Sequence, residues 1–282
     1  MTDKTQVTLP TIAMLGAGSM ARAILAGLLA PHVSVDGQVR VTNRSAENAA
    51  RFDTEPRVQA WATANDPEAN SKAVAGAQIV LIAVKPAMVP DLLDEISPAL
   101  AEGAIVVSVA AGVTTATMEA HLPEHVSVIR TMPNTPALVG KGVTGLASAS
   151  TASQDAIEAA KDLFAAVGSV VVIPEEKIDA LSAVSGSGPA WVYYIIEQWE
   201  KVAISEGFSE EDAKLMVRQT LAGSVELLVN SGEEPSELRR KVTSPGGTTE
   251  RIIATLDEAD LQGIFARSLN AAVARAREIA NS

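Results

Sequence analysis

The sequence predicts an α/β fold, in which a doubly wound sheet of parallel strands is followed by an all-helical region. Three observations predict it. A short apolar run over 12–15 breaks into Gly16-Ala17-Gly18 and then takes on helical spacing. Near-continuous apolar runs over 79–84 and 105–109 are typical of parallel strands that are covered on both faces. Beyond Pro174 the strand patterns cease and only helical ones follow.

The glycine segment after the first strand is the most informative motif. Gly16 allows a tight turn, Gly18 lets the backbone approach a ligand because it has no Cβ, and Ala21 lets the helix pack closely on the strand. A pyrophosphate would accept hydrogen bonds from free N–H groups at the helix N-terminus. This is the pattern of a Rossmann-type dinucleotide-binding unit, although ordinary tight turns share it. The predicted cofactor contacts here are Leu15, Gly16, Ala17, Gly18, Ser19 and Met20.

Alternating strands and helices predict the rest of the sheet. Further strands are expected over 38–42, 79–84, 105–109, 126–131, 143–147 and 170–173, with helices over 21–29, 46–52, 86–100 and 115–121. Such alternation favours a doubly wound sheet. We therefore assign residues 1–174 to a Rossmann-type cofactor domain and residues 175–282 to an all-helical dimerisation and substrate domain.

The second domain is predicted to contain helices over 188–206, 209–229, 234–242, 246–256 and 260–279. The first of them carries apolar residues around most of its circumference, including Trp191, Ile195 and Trp199. Such a helix needs burial on most faces, which a small helical domain does not supply alone. The pattern predicts a homodimer through these helices. A monomer that uses the helices as its own core is the alternative.

The residues after the second predicted strand of the sheet bear on the choice of cofactor. An NAD site usually has Asp or Glu there, roughly twenty residues past the glycines, to bind the ribose hydroxyls. This chain has Asn43-Arg44-Ser45 instead. A guanidinium can pair with a 2′-phosphate that a carboxylate would repel, so we expect NADP(H), with NAD(H) bound less well. The alternative is that Ser45 only caps the next helix and that Arg44 is solvated.

Three further loops follow predicted strands, at the edge where open α/β sheets bind ligands. Ala83-Val84-Lys85-Pro86 can line the ribose or the nicotinamide, and Ala110-Ala111-Gly112 leaves room for a flat ring. Asn134 lies in an extended stretch that two prolines stiffen, where it could position cofactor or substrate. A solvated lysine, a plain turn and a stiff connector are the respective alternatives. Asn70 completes the predicted cofactor contacts.

Composition narrows the remaining classes of function. A net charge of −12 and the lack of a long Lys/Arg cluster argue against a nucleic-acid partner. The absence of cysteine excludes disulfides, a thiol nucleophile and a cysteine zinc site, and we expect no metal. Because no signal-like start or long uncharged apolar run is found, we expect a cytoplasmic protein without a membrane partner.

Together these motifs resemble the pyrroline-5-carboxylate reductase family, nearly from end to end of the chain. The resemblance runs through Gly16-Ala17-Gly18, Asn43-Arg44-Ser45, Ala83-Val84-Lys85-Pro86, Arg130-Thr131-Met132-Pro133-Asn134-Thr135-Pro136, Ser185-Gly186-Ser187-Gly188-Pro189-Ala190 and Val242-Thr243-Ser244-Pro245-Gly246-Gly247-Thr248-Thr249. It implies reduction of the cyclic imine Δ1-pyrroline-5-carboxylate to L-proline with NAD(P)H, the last step of proline biosynthesis. It also implies helix-swapped dimers, which in the family often assemble into larger rings.

The last two motifs, which are the most diagnostic, supply the predicted substrate contacts. Both open helices, where free N–H groups can hold the substrate carboxylate, although ordinary helix-opening turns look alike. By resemblance, the Thr249 hydroxyl hydrogen-bonds the ring nitrogen as the catalytic group, and Thr248 contributes its amide. The predicted contacts are Ser185, Gly186, Ser187, Gly188, Ser244, Gly246, Gly247, Thr248 and Thr249.

The helix after Ser185-Gly186-Ser187-Gly188 begins without a Lys or Asn that faces the loop, and the three histidines lie in peripheral stretches of the first domain. A hydroxyacid dehydrogenase usually devotes a Lys or His to its alcohol proton, and the helix that starts near Gly188 brings neither at its beginning. Catalysis would then depend on placing the imine carbon against the nicotinamide. A related NADP-dependent imine or β-hydroxyacid oxidoreductase is the alternative, and an inactive NADP-binding protein is another. Trp191, Gly232 and Glu250-Arg251 depart from the common family pattern.

Overall fold

The computed structural model describes residues 6–280, which form two compact units: residues 6–187 with 273–280, and residues 188–272. The first unit contains the strands β1 Val7–Leu9, β2 Ile12–Leu15, β3 Val33–Val35, β4 Val39–Asn43, β5 Val58–Ala62, β6 Ile79–Ile82, β7 Ile105–Ser108, β8 Ser127–Met132, β9 Gly142–Ser148 and β10 Gly168–Val172. Its helices are α1 Ser19–Leu28, α2 Ala46–Ala50, α3 Ala69–Val74, α4 Val89–Ile96, α5 Thr115–Glu119, α6 Gln154–Ala165 and α7 Ile178–Leu181.

The main sheet has eight strands in the order β10-β9-β8-β7-β6-β2-β4-β5, and β1 and β3 pair separately. The chain passes from β2 to β4 on one side and continues with β6 on the other side of β2. This reversal is the topological switch point at which open α/β sheets bind ligands. The predicted class, a Rossmann-type doubly wound sheet followed by a helical region, is confirmed.

The sheet is parallel except where β8 meets β9, which run antiparallel, with Arg130 opposite Ala147. The link between them is the short stretch over 133–141, which contains a single 3₁₀ segment, Thr135–Val139. A parallel return requires a crossover of a dozen or more residues, so this short link can only reverse the chain. The strand β10 then pairs parallel to β9.

The core has two layers, one on each face of the sheet. Side chains alternate along β2, so Ile12 and Met14 join one buried cluster while Ala13 and Leu15 join the other. Helices α1 and α6 cover the first face, and α6 contributes the fully buried Phe164. The second face is covered by α3, α4 and α5. Burial on both faces explains why these strands have near-continuous apolar sequences.

The helix predicted over 86–100 consists of three segments. A 3₁₀ turn, Pro86–Met88, precedes α4, and a second one, Ser97–Ala99, follows it. Prolines near the start of each segment explain the interruptions, because proline lacks an N–H and fits only the first turn of a helix.

The second unit is helical, as the sequence predicts. Its helices are α8 Gly188–Ser205, α9 Glu210–Ser231, α10 Pro235–Lys241, α11 Thr248–Glu258 and the first part of α12 Leu261–Ala280, whose residues from Val273 onward belong to the first unit. The Ser209 hydroxyl accepts a hydrogen bond from the Asp212 amide at 3.1 Å and so caps α9. The rings of Trp191 and Phe265 stack with their centroids 5.3 Å apart. Between residues 6 and 280, no helix combines the length and apolar character that crossing a bilayer requires.

Candidate active site

A crevice of about 710 Å³ opens where β2 and β6 end, at the topological switch point. This volume is within the usual range of small-molecule sites, roughly 300–1,000 Å³. Many of the predicted cofactor contacts line it: Gly16, Ala17, Gly18, Asn43, Arg44, Asn70, Ala83, Val84 and Lys85. The lining also includes residues that the sequence did not single out, among them Thr42, Asn48, Thr63, Met88, Asp91 and Glu95.

The floor of the crevice depends on two glycines. Gly16 has a φ of +95°, and a Cβ added to it would lie 2.7 Å from the Ala83 carbonyl oxygen. Gly18 precedes α1 without a side-chain cap, and a Cβ added there would meet no protein atom within 4 Å. The first glycine therefore permits close packing against the end of β6, whereas the second leaves open space before the free N–H groups of the helix.

Asn43 presents an unused donor beside this floor. The residue is 6% exposed, and its Nδ2 is buried without a hydrogen-bond partner among the described residues. A buried donor without an acceptor costs about 1–3 kcal/mol, so this atom fits a ligand that brings an acceptor oxygen.

The two residues after Asn43 have different environments, because Arg44 is exposed and Ser45 caps a helix. Arg44 is exposed, and its Nη2 lies 3.7 Å from the Met88 Sδ. The Ser45 hydroxyl accepts a hydrogen bond from the Asn48 amide at 3.4 Å, which makes it the cap of α2. A cofactor contact of Ser45 remains a prediction beside this capping role.

Several predicted contacts lie outside the lining of the crevice. These are Leu15, Ser19, Met20, Ser45, Pro86, Ala110, Ala111, Gly112 and Asn134. Leu15 is fully buried in the core, and its cofactor contact remains a prediction. The Ala110 amide donates to the Ser108 hydroxyl at 3.1 Å, which shapes the turn after β7.

Asn134 bridges two backbone segments of the first unit. Its Oδ1 accepts a hydrogen bond from the Val143 amide at 2.8 Å, and its Nδ2 donates to the Ser185 carbonyl at 3.0 Å. Both ends of the amide are therefore engaged by the protein. The residue holds the start of β9 and the Ser185 loop together, and a direct cofactor contact remains a prediction.

The Ser185 loop begins in a π-helical turn, Ser182–Gly186, in which the Ser187 amide donates to the Ser182 carbonyl at 2.8 Å. Such turns are rare and frequent at functional sites. The preceding segment is anchored by the buried Arg130, whose guanidinium contacts Glu175 at 3.3 Å and Asp179 at 3.2 Å. Glu175 also accepts from the backbone and hydroxyl of Thr115.

The second diagnostic loop opens α11. Gly246 has a φ of +71°, and a Cβ added to Gly247 would lie 2.6 Å from the Ser244 hydroxyl oxygen. The Gly246 amide donates to the Glu250 carboxylate at 2.8 Å. Within residues 6–280, the amides of Thr248 and Thr249 make no hydrogen bond. They remain available to an anion at the positive end of an eleven-residue helix.

The two substrate loops belong to different compact units: Ser185 to Ser187 lie in the first, while Gly188 and the residues from Ser244 to Thr249 lie in the second. No group of three His, Cys, Asp or Glu side chains suited to a metal ion occurs in the described part of the chain.

A switch-point crevice floored by glycines and a helical second unit define a dinucleotide-dependent oxidoreductase. Residues 11–112 match the family described as NADP oxidoreductase, coenzyme F420-dependent. Residues 175–279 match the family described as pyrroline-5-carboxylate reductase dimerisation.

Comparison with whole proteins identifies the family. The pyrroline-5-carboxylate reductase of Pseudomonas aeruginosa is 37% identical over 272 residues, which cover 96% of this chain and 97% of that protein. Pyrroline-5-carboxylate reductase 2 of Bacillus subtilis is 34% identical, with 95% and 94% covered. The structure of the Coxiella burnetii enzyme superposes with a TM-score of 0.87 at 36% identity, covering 95% of this chain and 97% of that chain. The chain belongs to the pyrroline-5-carboxylate reductase family, which confirms the resemblance.

Proposed function

We propose that the protein reduces Δ1-pyrroline-5-carboxylate to L-proline by hydride transfer from NADPH, the last step of proline biosynthesis. The observation that carries this proposal is the near-full-length match to the family, because it spans both the sheet and the helical unit. The alternative of a related imine or β-hydroxyacid oxidoreductase has no comparable support.

The residues of the crevice fit NADP(H). The pyrophosphate would lie on the glycine turn and the free N–H groups of α1, since Gly18 leaves that space open. The unpartnered Asn43 Nδ2 and the exposed Arg44 guanidinium supply donors for the 2′-phosphate. When bound, NADPH supplies the hydride. NAD(H) lacks the phosphate that these donors serve, so we expect it to bind less well.

The remaining predicted contacts hold the substrate. The amides of Thr248 and Thr249 bind its carboxylate, and Gly246 and Gly247 allow close approach. The Thr249 hydroxyl hydrogen-bonds the ring nitrogen. The imine carbon accepts the hydride and the nitrogen carries a proton taken from solvent, so the C=N double bond becomes a single bond. Ser185, Gly186, Ser187, Gly188 and Ser244 complete the proposed contacts.

The protein acts as a homodimer that forms through residues 175–282 and can assemble into a larger ring, in the cytoplasm. The dimerisation family matched by residues 175–279 supports the dimer. Large apolar side chains of the second unit are exposed in the single chain, which also supports it: Tyr193, Tyr194, Val202, Leu227 and Val229.

A spectrophotometric assay tests the proposed reaction. Purified protein, NADPH and Δ1-pyrroline-5-carboxylate should show loss of NADPH absorbance with stoichiometric formation of proline. The same protein should not reduce NADP⁺ when offered small β-hydroxyacids. Turnover of a hydroxyacid with no reduction of the imine would replace the proposed reaction with the alternative one.

A further inference from the structure

We propose that Glu95 is a positioning residue for the cofactor, because it fixes the amide of Asn70 so that the amide oxygen faces the adenosine half of NADP(H). The inference rests on the proposed function for the identity of the ligand. It adds a residue that neither the sequence motifs nor the match to the family single out.

The geometry begins with two hydrogen bonds. The Asn70 Nδ2 on α3 lies 3.1 Å from Oε1 and 3.2 Å from Oε2 of Glu95 on α4. Asn70 is 8% exposed, and both residues line the crevice. One amide nitrogen therefore contacts both oxygens of a carboxylate at the wall of the proposed cofactor site.

The chemistry of the pair determines which way the amide points. An ionised carboxylate only accepts hydrogen bonds, so the NH₂ group of Asn70 must face Glu95 and its Oδ1 must face away. None of the described residues donates to this Oδ1, and it is not among the buried polar atoms that lack a partner. The oxygen is therefore accessible, on a residue that lines the crevice.

An acceptor at this position selects among the groups of the ligand. In the adenosine half of NADP(H) the 2′-oxygen carries the phosphate, so the remaining donors are the 3′-hydroxyl and the exocyclic amine of adenine. Asn70 would bind one of these two donors and would repel phosphate oxygens, which are acceptors. The phosphate is left to the donors of Asn43 and Arg44.

A purely structural role for the pair, in which it only ties α3 to α4, makes a different prediction. Removing a carboxylate near a ligand with several phosphates reduces repulsion, so charge alone would tighten binding. Loss of a fixed acceptor would weaken binding. The two effects have opposite signs and can be separated.

Calorimetric titration with adenosine 2′,5′-bisphosphate measures the effect without turnover. We expect Glu95→Ala to raise the dissociation constant roughly fivefold, and Glu95→Gln to recover part of this loss, since its amide oxygen can still accept from Asn70. Both variants remove the same charge, so their difference reports the hydrogen bond. Asp94→Ala, which truncates an acid of α4 that lies outside the lining of the crevice and contacts His121 at 2.8 Å, should bind as tightly as the wild type.

Two analogues identify the donor. The purine riboside 2′,5′-bisphosphate lacks the exocyclic amine, and 3′-deoxyadenosine 2′,5′-bisphosphate lacks the hydroxyl. The wild type should bind one of them about fivefold more weakly than the parent compound, and Glu95→Ala should lose this discrimination. In kinetic assays Glu95→Ala should raise the KM for NADPH and leave kcat unchanged.

The proposal is overturned if Glu95→Ala binds the bisphosphate as tightly as the wild type, or if the wild type does not discriminate against either analogue. Failure of the wild type to bind adenosine 2′,5′-bisphosphate at all would instead refute the cofactor site of the proposed function, and this inference with it. A lower melting temperature of Glu95→Ala with unchanged affinity would assign the pair a structural role only.

Discussion

The two compact units differ in how far their apolar side chains are buried. In the first, every residue of β2 and β6 is buried, and helices cover both faces of the sheet. In the second, Ala213 and Val217 are the only buried residues among those described, while tyrosines, valines and leucines lie exposed. The first unit covers its apolar residues with its own helices, whereas the second leaves an apolar surface exposed, which is typical of a surface that contacts another chain.

The largest effect should come from the core of the first unit. Phe164→Ala removes a fully buried ring from α6, and we expect it to cost about 3–5 kcal/mol of unfolding free energy. Phe208→Ala, at an exposed position of the second unit, is the matched control and should cost much less in the isolated chain. Denaturant unfolding at low protein concentration measures both. Equal losses would contradict the contrast between the units.

The next largest effect tests the exposed apolar surface of the second unit. Tyr194 on α8 is 63% exposed in the single chain, so Tyr194→Glu should leave the fold intact and raise the dimer dissociation constant at least tenfold. Sedimentation over a range of concentrations measures this constant. Glu197→Gln on the same helix, where the charged side chain is also exposed, should leave it near the wild-type value. An unchanged assembly in Tyr194→Glu would exclude this face of α8 from the interface.

Thr249→Ala tests whether the second unit acts on the substrate without affecting the binding of NADPH. If the Thr249 hydroxyl hydrogen-bonds the ring nitrogen as proposed, its loss should lower kcat/KM for the imine about 10- to 100-fold, while NADPH affinity stays unchanged. Thr255→Ala removes the same group from α11, where it donates to the Arg251 carbonyl at 3.0 Å, and should be nearly neutral. Wild-type turnover in Thr249→Ala would reject its catalytic role.

Arg44→Ala should have the complementary effect in the first unit. Loss of the guanidinium should raise the KM for NADPH about tenfold and leave the KM for NADH unchanged, since only NADPH carries the 2′-phosphate. Arg51→Ala is a suitable control, because Arg51 pairs with Glu47 on the nearby α2. If the KM values for NADPH and NADH rise equally, Arg44 does not recognise the phosphate.

Removing one partner of a surface ion pair should have the smallest effect on stability, and the effect should be similar in both units. Hydrogen bonds from Lys72 and Lys214 lower the pKa of Asp66 and of Glu210. A carboxyl group whose pKa is lower in the folded than in the unfolded protein stabilises the fold at pH values above its unfolded pKa. This contribution is lost as the pH falls through the folded pKa. Lys72→Gln and Lys214→Gln should therefore slightly reduce the loss of Tm on acidification. A larger effect in either variant would indicate a role beyond a surface pair.

The sequence predicts those parts of the fold whose signals are local. The strands with near-continuous apolar runs and the turn at Gly16 are predictable, because burial on both faces and a strand-turn-helix break each leave a pattern within a few residues. The sequence pattern does not predict β1, β3, β5, α3, α6 and α7. Five of these elements are short, but α6 begins with Ser153 as its cap and Asp155 in its first turn, which is a recognisable start signal.

Part of the site could not be predicted, because it depends on contacts between distant segments. Asn43 and Arg44 follow a strand and can be inferred, but the pairing of Asn70 with Glu95 joins two helices that are 25 residues apart in sequence. The engagement of both ends of the Asn134 amide is equally hidden, since Ser185 follows 51 residues later. Hydrogen bonds of this kind leave no periodicity in the sequence.

The bridge made by Asn134 also limits which side chains this position tolerates. Its two partners require different groups: the Val143 N–H needs an acceptor, and the Ser185 carbonyl needs a donor. A primary amide supplies both the acceptor and the donor. Aspartate, which has the same length, would place a carboxylate oxygen next to the Ser185 carbonyl oxygen, and leucine would form neither hydrogen bond. The shape of the π-helical turn is thus encoded in part by one carboxamide in the link between β8 and β9.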